Sequence, residues 1–207
     1  MRNVRVRYEK TGDARFVSHL DLVRTFARAV RRADLNVYYT EGFNPHIKMN
    51  FLPPLSLGYE SLCEAFDMRL TDETHCADVA SRLRAVLPDL LRVTDAYEPE
   101  TELTDVAFVR YALRFEQDVN AAAETLGREG LTIEKKTKRG QITVDVHSAL
   151  KAAEVVDGAL EIVLPMGEAS LNPRHVVEAL NTYGGFGIED FRCVRKQLYA
   201  ADGEVFM

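Results

Sequence analysis

The chain has 207 residues, 46% of them hydrophobic, and its 26 Lys plus Arg against 32 Asp plus Glu give a formal charge of -6. These proportions fit a globular class with enough apolar groups for a core. They exclude collagen-like and disordered chains, and no run of about 18 apolar residues is present to span a bilayer as a helix. Three scattered cysteines, Cys63, Cys76 and Cys193, read as reduced thiols, and the alternating, arginine-bearing residues 1–20 do not resemble a secretory signal, so a cytoplasmic location is expected.

Over residues 3–9, Val4, Val6 and Tyr8 alternate with Arg5 and Arg7, the period of a half-buried strand. After a turn at Gly12, Ser18 followed by Asp21 reads as a helix cap, and Val23, Phe26, Ala27 and Val30 form the apolar stripe of a helix over 18–33. Gly42-Phe43-Asn44-Pro45-His46 is a shaped loop before a short strand, 47–52, which Pro53-Pro54 ends. A strand over 63–70, a helix over 76–87 and a strand over 91–97 complete a first set, and an acidic stretch (Asp95, Glu98, Glu100, Glu102, Asp105) follows. The second half predicts a strand over 106–116, a helix over 118–128, strands over 131–136, 141–147 and 159–164, a helix over 173–183 and a strand over 188–199. The order strand, helix, strand, strand, helix, strand thus occurs twice, with one additional strand in the second copy. The expected fold is α+β: two tandem ferredoxin-like (βαββαβ) units with antiparallel sheets, over residues 1–100 and 106–200.

Residues 1–50 hold ten Lys plus Arg and five Asp plus Glu, a basic quarter in an acidic chain. If helices cover one face of each sheet, Arg5, Arg7, Lys48 and Arg69 look outward from the first, and Arg110 and Arg114 from the second, with Asp145 and His147 on a neighbouring strand. Arg24, Arg28, Arg31 and Arg32 lie opposite the apolar stripe of their helix. Guanidinium groups hold phosphates bidentately, which makes Arg5, Arg7, Arg15, Arg24, Arg28 and Lys48 candidate RNA or anion contacts, with Asn44 and His46 shaping a recognition loop. A competing reading pairs Arg5, Arg7 and Arg69 with Asp67 and Glu64 as cross-strand charges. Phe43 and Phe108 are the only outward aromatics, too few for a base-stacking sheet.

Five histidines show no His-x-x-x-His pair, and no Cys-x-x-Cys or nucleotide-binding fingerprint is present, so neither a metal nor a cofactor is expected. His19, after Ser18 at the positive end of a helix, is the candidate catalytic residue, as a general base or an anion contact; the competing reading is packing and local hydrogen bonding. Gly184, Gly185 and Gly187, joining the last helix to the last strand, either let backbone approach a phosphate or stop the helix. Their predicted position resembles that of the glycine-rich loop of CRISPR repeat-processing RNA endonucleases, which gives one alternative: a metal-independent RNA endonuclease.

Lys10-Thr11-Gly12, Arg15-Phe16, Ser18-His19-Leu20-Asp21, Arg24, Arg28-Ala29, Arg31-Arg32-Ala33, Gly42-Phe43-Asn44-Pro45-His46 with Lys48, Pro54-Leu55 and Leu57-Gly58 together resemble the radical-SAM-associated domain family of unknown function. Members stand alone or are fused to the end of radical SAM enzymes. The resemblance implies a radical SAM enzyme as partner and names no reaction. The chain lacks the Cys-x-x-x-Cys-x-x-Cys triad such an enzyme needs. Ile47 stands where a second proline is expected after His46, and Val146-His147 where an isoleucine-arginine pair is more usual. The expected role is a non-catalytic RNA-binding or substrate-presenting module for an RNA-modifying radical SAM enzyme; a protein-protein docking domain is the other alternative. No membrane partner is expected.

Overall fold

Alternation in the first strand is realised in the computed structural model, which describes residues 1–137, 140–167 and 170–206. β1 (Arg2–Lys10) turns Val4, Val6 and Tyr8 into a core shared with Leu22, Phe26 and Val30 of α1 (His19–Arg32); the Tyr8 and Phe26 rings lie 4.6 Å apart. Ser18 caps α1, its Oγ accepting from the Asp21 amide at 3.2 Å and donating to the Asp21 carboxylate at 2.7 Å. β2 (Met49–Phe51) is held short by Pro53 and Pro54, and β3 (Glu60–Leu70), α2 (Cys76–Val86) and β4 (Val93–Tyr97) follow. β1 pairs antiparallel with both β3 and β4, and β3 with β2, so the strands lie in the order β4-β1-β3-β2. Val79 and Leu83 of α2 enter the same core as α1, which places both helices on one face of this sheet.

The chain divides into two compact units, Met1–Asp105 and Val106–Phe206. The second contains β5 (Phe108–Arg114), α3 (Val119–Leu126), β6 (Thr132–Thr137), β7 (Gly140–Asp145), α4 (Val146–Ala149), β8 (Ala152–Val156), β9 (Ala159–Pro165), α5 (Pro173–Gly184) and β10 (Arg192–Tyr199). Its sheet runs β10-β5-β9-β8, antiparallel throughout, while β6 and β7 form a separate ribbon. β8 lies outside every strand expected from periodicity. It is joined to β9 by Asp157 and Gly158, both at positive φ (49° and 70°), a two-residue hairpin whose backbone twist suits the flanking strands. The strand expected over 141–147 stops at Asp145, because that carboxylate accepts the amides of His147 and Ser148 and starts α4; His147 is therefore on a helical turn. Among the described residues no helix is long and apolar enough to cross a membrane.

Candidate functional site

Three places in the first unit hold the residues singled out from the sequence. On the sheet face opposite the helices, Arg5 is fully buried. The residue stands in register with Asp67, and its Nε and Nη2 donate to the two carboxylate oxygens at 2.7 and 2.9 Å, while Nη2 and Nη1 reach the carbonyl and hydroxyl of Thr101 at 2.7 and 3.3 Å. Burial alone would lower the guanidinium's pKa; the bonds and charge of Asp67 outweigh it and hold the group above its ordinary value. The outward phase read for Arg5 is retained, but the acidic stretch folds over that face, and a fork already engaged by a carboxylate is not open to a phosphate. Arg5 is therefore withdrawn as an RNA contact. Arg7 is half-buried, opposite Ala65 and Asp95. Arg69 donates to Asn3 at 3.1 Å. Lys48 lines a groove of ≈ 240 Å³ with Arg69, Glu100, Glu102 and Asp105. In the second unit Arg110 is likewise committed, to Glu154 at 2.5 Å and Glu161 at 3.0 Å, with Lys196 on Glu161 at 2.8 Å.

The outer face of α1 is different. Arg24 pairs with Asp21 at 3.1 Å, and bonds from Ser18 and Arg24 hold that exposed carboxyl below its usual range. Arg28 and Arg32 are exposed on successive turns, and Arg31 Nε lies 3.4 Å from the hydroxyl of Tyr39. Tyr39 bridges to Ile47 and closes the loop that contains Asn44 and His46. Within it the Thr40 amide donates to the His46 carbonyl at 2.8 Å, the His46 amide donates to Thr40 Oγ1 at 3.2 Å, and His46 Nδ1 lies 3.1 Å from that hydroxyl and 3.3 Å from the Asn44 carbonyl. Phe43 at the loop tip is 100% exposed. The Arg31–Tyr39 contact joins this loop to the outer face of α1.

The third place is the end of the sheet beside the α1 N-terminus. Lys10, Glu60, Ser61 and Glu64 are buried there. Lys10 Nζ reaches the Arg15 carbonyl at 3.4 Å, the Gly58 amide donates to the same carbonyl at 2.9 Å, and the Gly12 amide donates to Glu60 at 2.8 Å. His19 stands edge-on to Phe51 at 5.7 Å and lines a cavity of ≈ 10 Å³ with Tyr8, Lys10, Leu55 and Glu64. That is the space of a single water, too small for a nucleotide. Phe16, Leu20 and Leu57 are exposed, with the Arg15 guanidinium 4.7 Å above the Phe16 ring. Lys10, Gly12, Arg15, His19, Leu55 and Gly58, scattered through the motifs, gather here. Glu60 and Ser61 escaped sequence reasoning, and Glu64 was read only as a cross-strand partner for arginine; their one signal here is polar residues breaking the alternation just before Ala65-Phe66.

The glycine loop is explained by its helix. Gly185 ends α5 at φ 66°, its amide donating to the Asn181 carbonyl at 3.2 Å, and Ile188 bonds the Asn181 side chain at 2.7 and 2.9 Å. A Cβ on Gly184 would lie 2.2 Å from the Phe186 ring. Gly187 also has positive φ, 64°. The Gly185 amide is thus engaged by Asn181 and does not face a phosphate, and the loop belongs to the second unit while His19 belongs to the first. Among the described residues no group of three or more His, Cys, Asp or Glu is placed to hold a metal ion.

The family described as "Uncharacterized protein conserved in bacteria (DUF2344)" matches residues 3–181. No curated protein matches the chain.

Proposed function

The chain belongs to that bacterial family of uncharacterised proteins, and from this premise we propose that it is a binding module, without chemistry of its own, that holds RNA on the outer face of α1 and the Tyr39–Ile47 loop and presents it to a partner enzyme. The observation that carries the reading is the Arg31–Tyr39 contact, which joins the arginines of α1 to exposed Phe43, Asn44 and His46. Arg28, Arg31 and Arg32 then supply phosphate contacts and Phe43 a stacking face. Arg24 lies on the same helix and Arg15 on the turn that precedes it. The partner we infer is a radical SAM enzyme; support comes from the motif resemblance at residues 7–64. Three free cysteines fit a cytoplasmic setting. The strand orders β4-β1-β3-β2 and β10-β5-β9-β8 support two tandem ferredoxin-like units, the second with the β6–β7 ribbon inserted before its second sheet strand.

Filter binding of single-stranded cellular RNA across a salt series tests the reading. The log-log slope is expected near 0.7 per phosphate neutralised, so Arg28→Ala with Arg32→Ala lowers it by roughly 1.4. Phe43→Ala is expected to cost about 1–3 kcal/mol with the slope unchanged. No retention at low salt, or variants that bind like the parent, overturns the assignment. RNA left intact in chelator separates presentation from cleavage by His19. A second reading, docking on a protein, is favoured by exposed Phe16, Leu20 and Leu57 near the His19 cavity; nuclease-insensitive co-purification lost in Phe16→Ser with Leu57→Ser supports it.

A further inference from the structure

The groove on the other face of the first sheet has a charge arrangement that RNA binding does not use. Asp67 and Thr101 line its floor, and both are engaged by the buried Arg5 beneath. One wall comes from the strands and the residues leading into them, with Lys48, Asn50 and Arg69; the other comes from the acidic stretch, with Glu100, Glu102 and Asp105. The floor is electrically balanced, since Arg5 engages both oxygens of Asp67. The walls are not. Positive groups stand on one side and negative groups on the other, and no ion pair among the described residues joins Lys48 or Arg69 to the three acids. Opposite charges on exposed, long side chains ordinarily close on each other when nothing separates them; here ≈ 240 Å³ of space lies between. That volume falls below the 300–1,000 Å³ or so typical of drug-sized ligands, so the occupant is small.

We propose that this groove binds a small amino carboxylate, with its ammonium group toward Glu100, Glu102 and Asp105 and its carboxylate toward Lys48 and Arg69. Asn50 and Asn3 offer amide groups to whatever polar atoms lie between. A monovalent cation or anion satisfies one wall and leaves the other facing it unpaired, whereas a zwitterion satisfies both, and the site therefore discriminates by charge at both ends. The groove serves as a ligand site independent of the arginine face of α1.

Isothermal titration of the full chain with free amino acids, with ω-amino acids from glycine to aminohexanoate, and with N-acetyl and carboxamide analogues of each tests this. At least one free zwitterion is expected to bind saturably, and blocking either end weakens it about ten- to a hundredfold, the worth of a charge-assisted hydrogen bond. Lys48→Met and Glu102→Gln, both exposed, are each expected to weaken it about tenfold while leaving the urea midpoint unchanged. The proposal is overturned if no member binds saturably, if a blocked analogue binds as well as its parent, or if either variant binds like the unaltered chain. RNA retention by the same variants stays at the parental level, so this experiment and the filter assay fail independently.

Discussion

Replacing Asp67 by Asn isolates the contribution of the buried pair on the first sheet. The substitution keeps shape and removes charge, leaving Arg5, whose side chain is wholly buried beside an Asp67 that is 16% exposed, with an amide where a carboxylate stood. The guanidinium stays protonated at any working pH, so its charge has no escape by titration. Breaking one side of a buried ion pair typically costs about 3–5 kcal/mol. The bonds Arg5 keeps to Thr101 place the expectation at the lower end, about 3 kcal/mol. With a urea m-value of about 1.5 kcal/mol/M, the midpoint of the first unit falls by about 2 M. Urea titration followed by far-UV circular dichroism measures it. The pair variant Arg5→Met with Asp67→Leu supplies the control, because replacing both charges by apolar groups removes the stranded ion and is expected to restore most of the loss. A midpoint for Asp67→Asn that corresponds to less than about 0.5 kcal/mol, or a pair variant no better than the single one, refutes the reasoning.

Thiol titration with Ellman's reagent on the native chain is expected to label Cys76 first, slowly because burial raises its pKa, and to reach Cys63 and Cys193 only in urea; burial pushes the Cys193 thiol far above its ordinary value. His175 accepts the Asn172 amide at 3.2 Å in the capping box of α5, which requires a neutral ring, and burial with the nearby Lys135 lowers its pKa. The folded value lies below the unfolded one, so this stabilisation is complete above about pH 6.5 and is lost as pH falls through the folded value; thermal unfolding between pH 8 and 5 is expected to be flatter for His175→Gln, which can still accept the bond. An equal slope in both proteins contradicts that. Gly185→Ala, forced to φ 66°, is expected to destabilise the second unit by about 1 kcal/mol in the same urea assay, and Gly185→Asn by less.

Local chemistry made much of this legible. The Val4-Val6-Tyr8 alternation, the Ser18–Asp21 cap and the apolar stripe through Phe26 and Val30 each depend on neighbours within a few residues, and each element stands where that logic puts it. β3 begins at Glu60 rather than at Cys63 because Glu60 and Ser61 are polar yet buried, satisfied by groups such as the Gly12 amide that only the folded chain supplies. Periodicity does not mark β8, because Ala152, Ala153 and Glu154 carry little strand character; its local signal is the Asp157-Gly158 turn. The Arg5–Asp67 pair is the cross-strand alternative that the sequence offered; the cover over it was not readable, since Thr101 is 96 positions away and nothing in the alternation announces that the chain returns there. The same holds for the meeting of Lys10 and Arg15 with Gly58 and Glu64. Strand phase says which way a side chain points; the distant segment that meets it decides whether it is a surface.

The inner position of β1 also has a consequence for biosynthesis. The strand lies between β3 and β4, and Arg5 waits for Asp67 on one side and Tyr97 on the other. During translation roughly ninety residues separate the emergence of Arg5 from that of its last ladder partner, about five to twenty seconds at usual elongation rates. Until β3 emerges Val4, Val6 and Tyr8 have only α1 to shelter them, and the other edge of β1 stays open until β4 follows, so a nascent chain stalled before Val93 should be held by chaperones, and one stalled well beyond Asp105 should not.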